Sequence, residues 1–256
     1  MAAKVLFIDI ETAPILTYVW GLFNQNIGLE QIKEDWHLLS WAAKWGDSKE
    51  VLYMDQRSAK NIEDDKKIAA GAWKLLDEAD VVVTQNGKAF DIKKLNARFI
   101  VNGMKPPSSF RSYDTLEVAK KKFGFTSNKL AYMTEKLNSK YKKLEHEQFP
   151  GFKLWRECLA GNKKAWNEME KYNKHDVLAL EELYYKLAPW DPSINMAAFS
   201  PDPMLCSCGS KEFIKNGFRY SNQGKYQKMM CVKCGSEHRQ KVNLLDKAKR
   251  KSLLAT

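Results

Sequence analysis

A chain of 256 residues, 44% hydrophobic and 12% aromatic, has enough apolar content for one ordinary domain plus a small appendage, which argues against a disordered chain. No run approaches the roughly 18 consecutive apolar residues of a membrane span, and Val5-Leu6-Phe7-Ile8 is cut short by Asp9, so neither a membrane partner nor an export signal is expected and the protein is read as cytoplasmic. The net charge of +11 is uneven: residues 201–256 hold twelve Lys or Arg against four Asp or Glu, a net +8 that leaves +3 for residues 1–200. Such a tail suits a polyanion, with nucleic acid ahead of an acidic membrane, or is simply a solvated basic segment.

In chain order, residues 4–10 are a β-branched and aromatic run that reads as a strand. Strand-like runs at 38–45 and 50–54, separated by Gly46-Asp47-Ser48, extend it to a three-strand meander. A helical pattern at 64–78 leads into the apolar strand Val81-Val82-Val83, then a helix from Asp91 to Val101 that stops at Asn102-Gly103. A strand at 110–113 feeds a helix at 115–123, and Ser127 or Asn128 is positioned to cap a further helix through Lys136. The longest helix is expected at 163–187, where Trp166, Met169, Asp176, Leu180, Leu183 and Leu187 recur at three- and four-residue spacing. The segment 188–204 holds Pro189, Pro192, Pro201 and Pro203 and reads as a linker. Alternating strands and helices give an α/β class with a mixed sheet.

Asp9 and Glu11 lie two apart on an apolar strand, so a period of two turns both carboxylates to one face. That face is either solvated or, if buried, needs a cation, because like charges and desolvation each disfavour the ionised pair. Asp91 follows the turn Gln85-Asn86-Gly87-Lys88-Ala89-Phe90 at a helix start, where an N-cap is the ordinary alternative. Asp176 occupies the apolar stripe of the long helix and requires a partner there; Tyr172, four residues earlier, shares its face.

Three strings in this order, Phe7-Ile8-Asp9-Ile10-Glu11-Thr12, Asn86-Gly87-Lys88-Ala89-Phe90-Asp91 and Tyr172-x-x-x-Asp176, resemble the motifs of the DEDD, or DnaQ-like, superfamily of 3′–5′ exonucleases. The histidine subtype carries a His five residues before the last Asp; here that position is Lys171, and Tyr172 is similar to the tyrosine subtype, which includes the proofreading domains of family B DNA polymerases. His175 is expected to face elsewhere.

The resemblance implies a ribonuclease H-like fold, a mixed five-stranded sheet flanked by helices. It also implies two Mg²⁺ or Mn²⁺ held by Asp9, Glu11, Asp91 and Asp176, hard oxygen donors suited to those ions. Tyr172 would orient the attacking water, and Thr12, Asn86 and Phe90 would lie near the terminal nucleotide. Phe90 is open to a second reading as a core residue under the turn, and Asp114 reads as an N-cap rather than a fifth ligand.

Four of the five cysteines fall in the basic tail, as Cys206-x-Cys208 and Cys231-x-x-Cys234 with Gly209 and Gly235 after each pair, while Cys158 reads as a small buried hydrophobe. The set is similar to a zinc ribbon holding one structural Zn²⁺, although the first spacer is one residue rather than two and His238 is a conceivable substitute ligand. Between the pairs, Phe213, Phe218, Arg219, Tyr220, Lys225, Tyr226 and Lys228 alternate rings with cations, which suits single-stranded nucleic acid, a protein dock, or a small core with solvated charges.

The expected organisation is an exonuclease domain at 1–190, a linker at 191–204 and a basic zinc-ribbon-like module at 205–256. Expected partners are the 3′ end of single-stranded DNA, degraded to 5′-mononucleotides, and a DNA polymerase or other replication protein. An RNA 3′-exonuclease, or an inert adaptor acting through the zinc module, are the alternatives.

Overall fold

A computed structural model describes residues 3–142 and 148–253. The chain opens with β1 (Val5–Thr12), followed by a small ribbon of β2 (Leu16–Thr17) and β3 (Ile32–Glu34), then β4 (Leu38–Trp45) and β5 (Leu52–Asp55). Next come α1 (Lys66–Glu78), β6 (Val81–Thr84), α2 (Asp91–Val101), β7 (Arg111–Asp114), α3 (Thr115–Lys122), α4 (Leu130–Leu137), α5 (Lys153–Leu159) and α6 (Lys163–Leu187). Two 3-10 turns, Ala188–Trp190 and Met196–Phe199, occupy the segment expected as a linker, and Ile194 and Met196 are buried there. The tail holds β8 (Phe213–Ser221), β9 (Gly224–Cys231), β10 (Glu237–Arg239) and α7 (Lys247–Ser252).

The chain forms two compact units, one comprising 4–117 and 125–183, the other 1–3, 118–124 and 184–256. In the first, five strands run in the order β5-β4-β1-β6-β7. The β1–β4 and β4–β5 pairs are antiparallel and the β1–β6 and β6–β7 pairs parallel, giving the mixed sheet expected from the sequence. β1 is central because it is apolar on both sides as far as Asp9: Leu6, Phe7 and Ile8 are all fully buried.

One sheet face, with Leu6, Ile8, Ile10, Trp41, Ala43 and Val82, packs against Ile68, Ala69, Ala72 and Leu76 of α1 and Leu95 and Phe99 of α2. Each of these large side chains contributes about 1.5–3 kcal/mol on burial. Gly71 in α1 is needed at this seam, since a Cβ there would lie 2.6 Å from Met54 Sδ and 2.9 Å from Trp41 Cζ2. The other face carries Phe7, Asp9 and Glu11 of β1 beside Ser40, Ala42 and Lys44 of β4, by the register Phe7↔Lys44, Asp9↔Ala42 and Glu11↔Ser40. α6 covers that face: Ser40 Oγ donates to Asn173 Oδ1 at 3.0 Å, and Lys44 pairs with Glu181 at 2.5 Å.

Several expected boundaries shift. β1 runs past residue 10 to Thr12, and Glu11 lies inside the strand with Asp9, as expected. β5 spans Leu52–Asp55 instead of 50–54. α1 starts at Lys66 because the Asp65 carboxylate is taken up by Leu38 N–H at 2.8 Å and by Arg98, which fixes where the chain turns. α4 is capped at Lys129, not at Ser127 or Asn128; Ser127 Oγ instead accepts from Lys129 N–H at 3.3 Å.

The second unit contains the three-stranded antiparallel sheet β10-β9-β8, with a bulge between Lys215 and Phe218 where Gly217 adopts φ +69°. Among the described residues, no helix is long and apolar enough to cross a membrane.

Candidate functional site

α6 brings a polar patch to the middle of the β1 face. Asn173, fully buried, donates from Nδ2 to Asp9 Oδ2 at 2.6 Å and to Asp9 O at 3.2 Å, while its Oδ1 accepts from Ser40. The amide therefore fixes the Asp9 carboxylate with its Nδ2 while its oxygen is engaged by Ser40. On the same helix Tyr172 hydrogen-bonds Asp176 and lies in the field of Asp176, Glu11 and Asp9. Burial, reinforced by these three carboxylates, pushes the phenol far above its ordinary value of 10, so Tyr172 keeps its proton and acts as a donor.

α5 supplies a further contact: Trp155 Nε1 donates to Glu11 Oε2 at 3.1 Å, and its ring meets Tyr172 edge-on at 6.3 Å. Behind them Leu154, Cys158, Trp166 and Met169 form a second core with Tyr172, Leu39 and Ala13, and the Cys158 thiol is buried in it as expected.

Asp91 is the first residue of α2, with Phe90 in the N-cap position. Its Oδ1 accepts from Ile10 N–H at 3.1 Å, so the carboxylate reaches the β1 backbone between Asp9 and Glu11 instead of capping its own helix. Burial is the main reason its pKa is pushed up to about 7, helped by the Asp114 charge and opposed by the Ile10 and Asp91 N–H groups.

The turn before Asp91 is built by Asp114, whose Oδ1 accepts from Asn86 N–H at 2.9 Å and Leu116 N–H at 3.0 Å and whose Oδ2 accepts from Lys88 N–H at 3.1 Å. Asp114 thus binds the turn and the start of α3. Asn86 sits at φ +66°, a conformation Asn tolerates, and Gly87 is packed so closely that a Cβ would fall 2.2 Å from Thr84 Oγ1.

The structure thus gathers Asp9, Glu11 and Asp176 about Tyr172 and ties Asp91 to the same strand. Of the residues expected near the terminal nucleotide, Thr12 lies half-buried at the end of β1, past a register shift after Glu11. Phe90 is 38% exposed, so it is not a core residue. His175 faces away, ring edge-on to Tyr141 at 5.7 Å and Nε2 against Lys142 O. Asn173 and Trp155 are new. Asn173 was findable, a polar residue on the apolar stripe between Met169 and Asp176, whereas nothing local in the sequence links Trp155 to Glu11, 144 positions away. Chemically, carboxylates from β1, α2 and α6 are donors suited to Mg²⁺ or Mn²⁺, and a buried carboxyl such as Asp91 ionises readily only beside positive charge.

Among the described residues, Cys206, Cys208, Cys231 and Cys234 form a group whose ligand atoms all lie within 4.8 Å of one another. Cys206 and Cys234 Sγ are 3.4 Å apart and Cys208 and Cys231 Sγ 3.7 Å, all as free thiols. Four sulfurs about 2.3 Å from a tetrahedral Zn²⁺ are separated by about 3.8 Å, so the cluster can hold that ion.

Each knuckle closes with paired backbone bonds: Gly209 N–H to Cys206 O and Cys206 N–H to Ser210 O, both 2.9 Å, then Gly235 N–H to Cys231 O at 2.9 Å and Cys231 N–H to Ser236 O at 3.0 Å. Gly209 and Gly235 take φ +80° and +74°, which is why glycine follows each pair. Burial raises the Cys231 thiol, but the N–H groups of Cys234 and Lys233 and the neighbouring thiols outweigh it and bring it down to about 7. His238 stays outside the cluster, packed edge-on to Phe213 at 5.4 Å. On the sheet, Lys225 Nζ lies 4.0 Å over the exposed Phe218 ring and Arg239 4.1 Å over Tyr226.

Among curated proteins none matches this chain. Among solved structures it is similar to the family B DNA polymerase of the hyperthermophilic archaeon Pyrobaculum calidifontis, with a TM-score of 0.50 and 15% identity over 77% of this chain and 27% of the polymerase. This chain therefore spans about a quarter of the polymerase's length, and at that identity the likeness shows the fold alone. Residues 6–188, well over half of the sequence, match the RNase H superfamily, and the chain belongs to that superfamily.

Proposed function

We propose that the first unit is a divalent-cation-dependent 3′–5′ exonuclease of the tyrosine DEDD subtype, releasing 5′-mononucleotides from single-stranded DNA. The observation that carries this reading is the placing of buried Asp176 and neutral Tyr172 on α6 opposite Asp9 and Glu11 of β1, a costly concentration of acid in a protein of net charge +11. The proposed organisation keeps the nuclease at 1–190, a connecting segment at 191–204 and a zinc module at 205–256 that holds the strand or a replication partner such as a polymerase.

Asp9, Glu11, Asp91 and Asp176 would hold two Mg²⁺ or Mn²⁺. When bound, such cations neutralise the charge added to the scissile phosphate and lower the pKa of the attacking water. The chain's own groups then do the positioning. Asn173 holds the Asp9 carboxylate in one rotamer, and Trp155 holds Glu11. Tyr172, protonated throughout the working pH range, offers one O–H to orient water rather than to abstract a proton. Thr12, Asn86 and Phe90, the last exposed, would receive the terminal nucleotide, Phe90 through its ring. In the second unit Cys206, Cys208, Cys231 and Cys234 would hold one structural Zn²⁺.

The test is a time course on a 5′-labelled oligonucleotide, as matched DNA and RNA, with Mg²⁺ and with EDTA. A ladder shortening from the 3′ end on DNA, abolished by EDTA and by Asp9→Ala, is expected. A ladder on RNA alone reassigns the substrate, and no Mg²⁺-dependent product on either strand overturns the reading.

A further inference from the structure

An aromatic and cationic array runs along α2 from the residue before Asp91. Phe90, Lys94 and Arg98 follow one another at four-residue spacing along α2, starting at the residue before Asp91, so all three project from one helix face. Trp36, just before β4, lies against this face: Lys94 Nζ sits 3.6 Å from the Trp36 ring centroid and 5.9 Å from that of Phe90, and Arg98 Cζ is 5.6 Å from Trp36.

The two cations differ. Arg98 is bound by the fully buried Asp65 at 2.6 Å and serves the fold. Lys94 makes no ion pair or hydrogen bond among the described residues, although the Asp35 carboxylate acts on it through space. A lysine with no ion pair or hydrogen bond among the described residues, lying over the Trp36 ring, keeps its ammonium hydrogens available for an anion that arrives with a flat ring system.

Resting on the exonuclease reading, we propose that Phe90, Lys94 and Trp36 form a stacking ladder for the nucleotides behind the 3′ terminus, in which Lys94 contacts a backbone phosphate and Trp36 stacks on a base. Four residues of helix advance about 6 Å, so Lys94 and Trp36 lie past the terminal nucleotide that Phe90 meets. They are positioning residues, and their effect falls on strand affinity rather than on bond cleavage. Without a specific edge contact, the ladder grips strands of any sequence.

The experiment measures kcat and KM on single-stranded hexanucleotides and dinucleotides for the parent, Trp36→Ala, Trp36→Phe and Lys94→Gln, with Mg²⁺. Trp36→Ala is expected to raise KM for the hexanucleotide roughly 5- to 100-fold, far more than for the dinucleotide, while Trp36→Phe restores most of the loss. Lys94→Gln is expected to reduce the slope of log affinity against log salt by about 0.7, one phosphate contact on a single strand. A KM ratio between the two substrates that stays at the parent value in Trp36→Ala, or a salt slope unchanged by Lys94→Gln, overturns the ladder while leaving the nuclease intact. An inactive parent overturns the exonuclease reading itself.

Discussion

Replacing Asp91 by Asn separates a buried charge from a structural hydrogen bond. The amide keeps the shape and an oxygen that accepts from Ile10 N–H, and removes the ability to ionise. In the parent, burial pushes this carboxyl from 3.8 to about 7. The unfolded chain loses the proton near pH 4 and the native state only near 7, so the group's contribution to stability is full below 3.8, falls as pH rises through that window and is flat above it.

About three pKa units at 1.36 kcal/mol each give a fall of about 4 kcal/mol. Without added divalent cations, Asp91→Asn is therefore expected to equal the parent in stability near pH 4 and to exceed it by about 2–4 kcal/mol at pH 8, read from urea midpoints or as a rise of roughly 5–15 °C in Tm. Added Mn²⁺ should stabilise the parent at pH 8 and the variant much less. A difference between the two proteins that does not change with pH, or a variant less stable than the parent at pH 8, would refute the burial of this carboxyl as the cause.

Other outcomes follow from the same geometry. Asn173→Ala removes the buried bonds to Asp9 and Ser40 and should cost about 1–3 kcal/mol in urea unfolding, with a fall in kcat as Asp9 loses its fixed rotamer. Tyr172→Phe should lower kcat less than Asp176→Ala does, and should leave the pH profile below 9 unaltered, since the phenol does not ionise there. Gly87→Ala forces a Cβ to 2.2 Å from Thr84 Oγ1 and should destabilise the turn that presents Asp91, seen as a lower Tm and weaker Mn²⁺ binding. Metal analysis should find one zinc per chain, and Cys231→Ser should lose it and lower the second unit's unfolding transition.

Much of this was legible because particular residues punctuate the chain. The long helix begins and ends where expected: Asn162 Oδ1 accepts from Lys164 N–H at 3.0 Å at one end, and Pro189 follows at the other. α2 stops at Gly103, φ +73°, where Met104 N–H returns to Phe99 O at 2.8 Å. Asp9 and Glu11 share a face by strand period alone.

The β2–β3 ribbon was not legible: two residues face three, held by local bonds such as Tyr18 N–H to Gln31 O at 2.9 Å, with no periodic pattern. α5 spans seven residues, and its contact with Glu11 exists only once α5 is packed beside α6. Lys44 reads as a strand residue like its neighbours, and its buried ion pair appears only when Glu181 is brought 137 positions along the chain. The cap of α4 at Lys129 is likewise a tertiary outcome, because Asn128 O is engaged by Gln85 Nε2 at 3.0 Å.

The most direct test of the central claim is calorimetric titration of the zinc-loaded protein with Mn²⁺, alongside Asp9→Asn and Asp176→Asn shown to be folded by circular dichroism. The parent should bind two Mn²⁺ per chain, and each variant should lose at least one of them. Parent protein that gives no heat, or variants that bind as the parent does, would contradict the convergence of these carboxylates on a shared cation site.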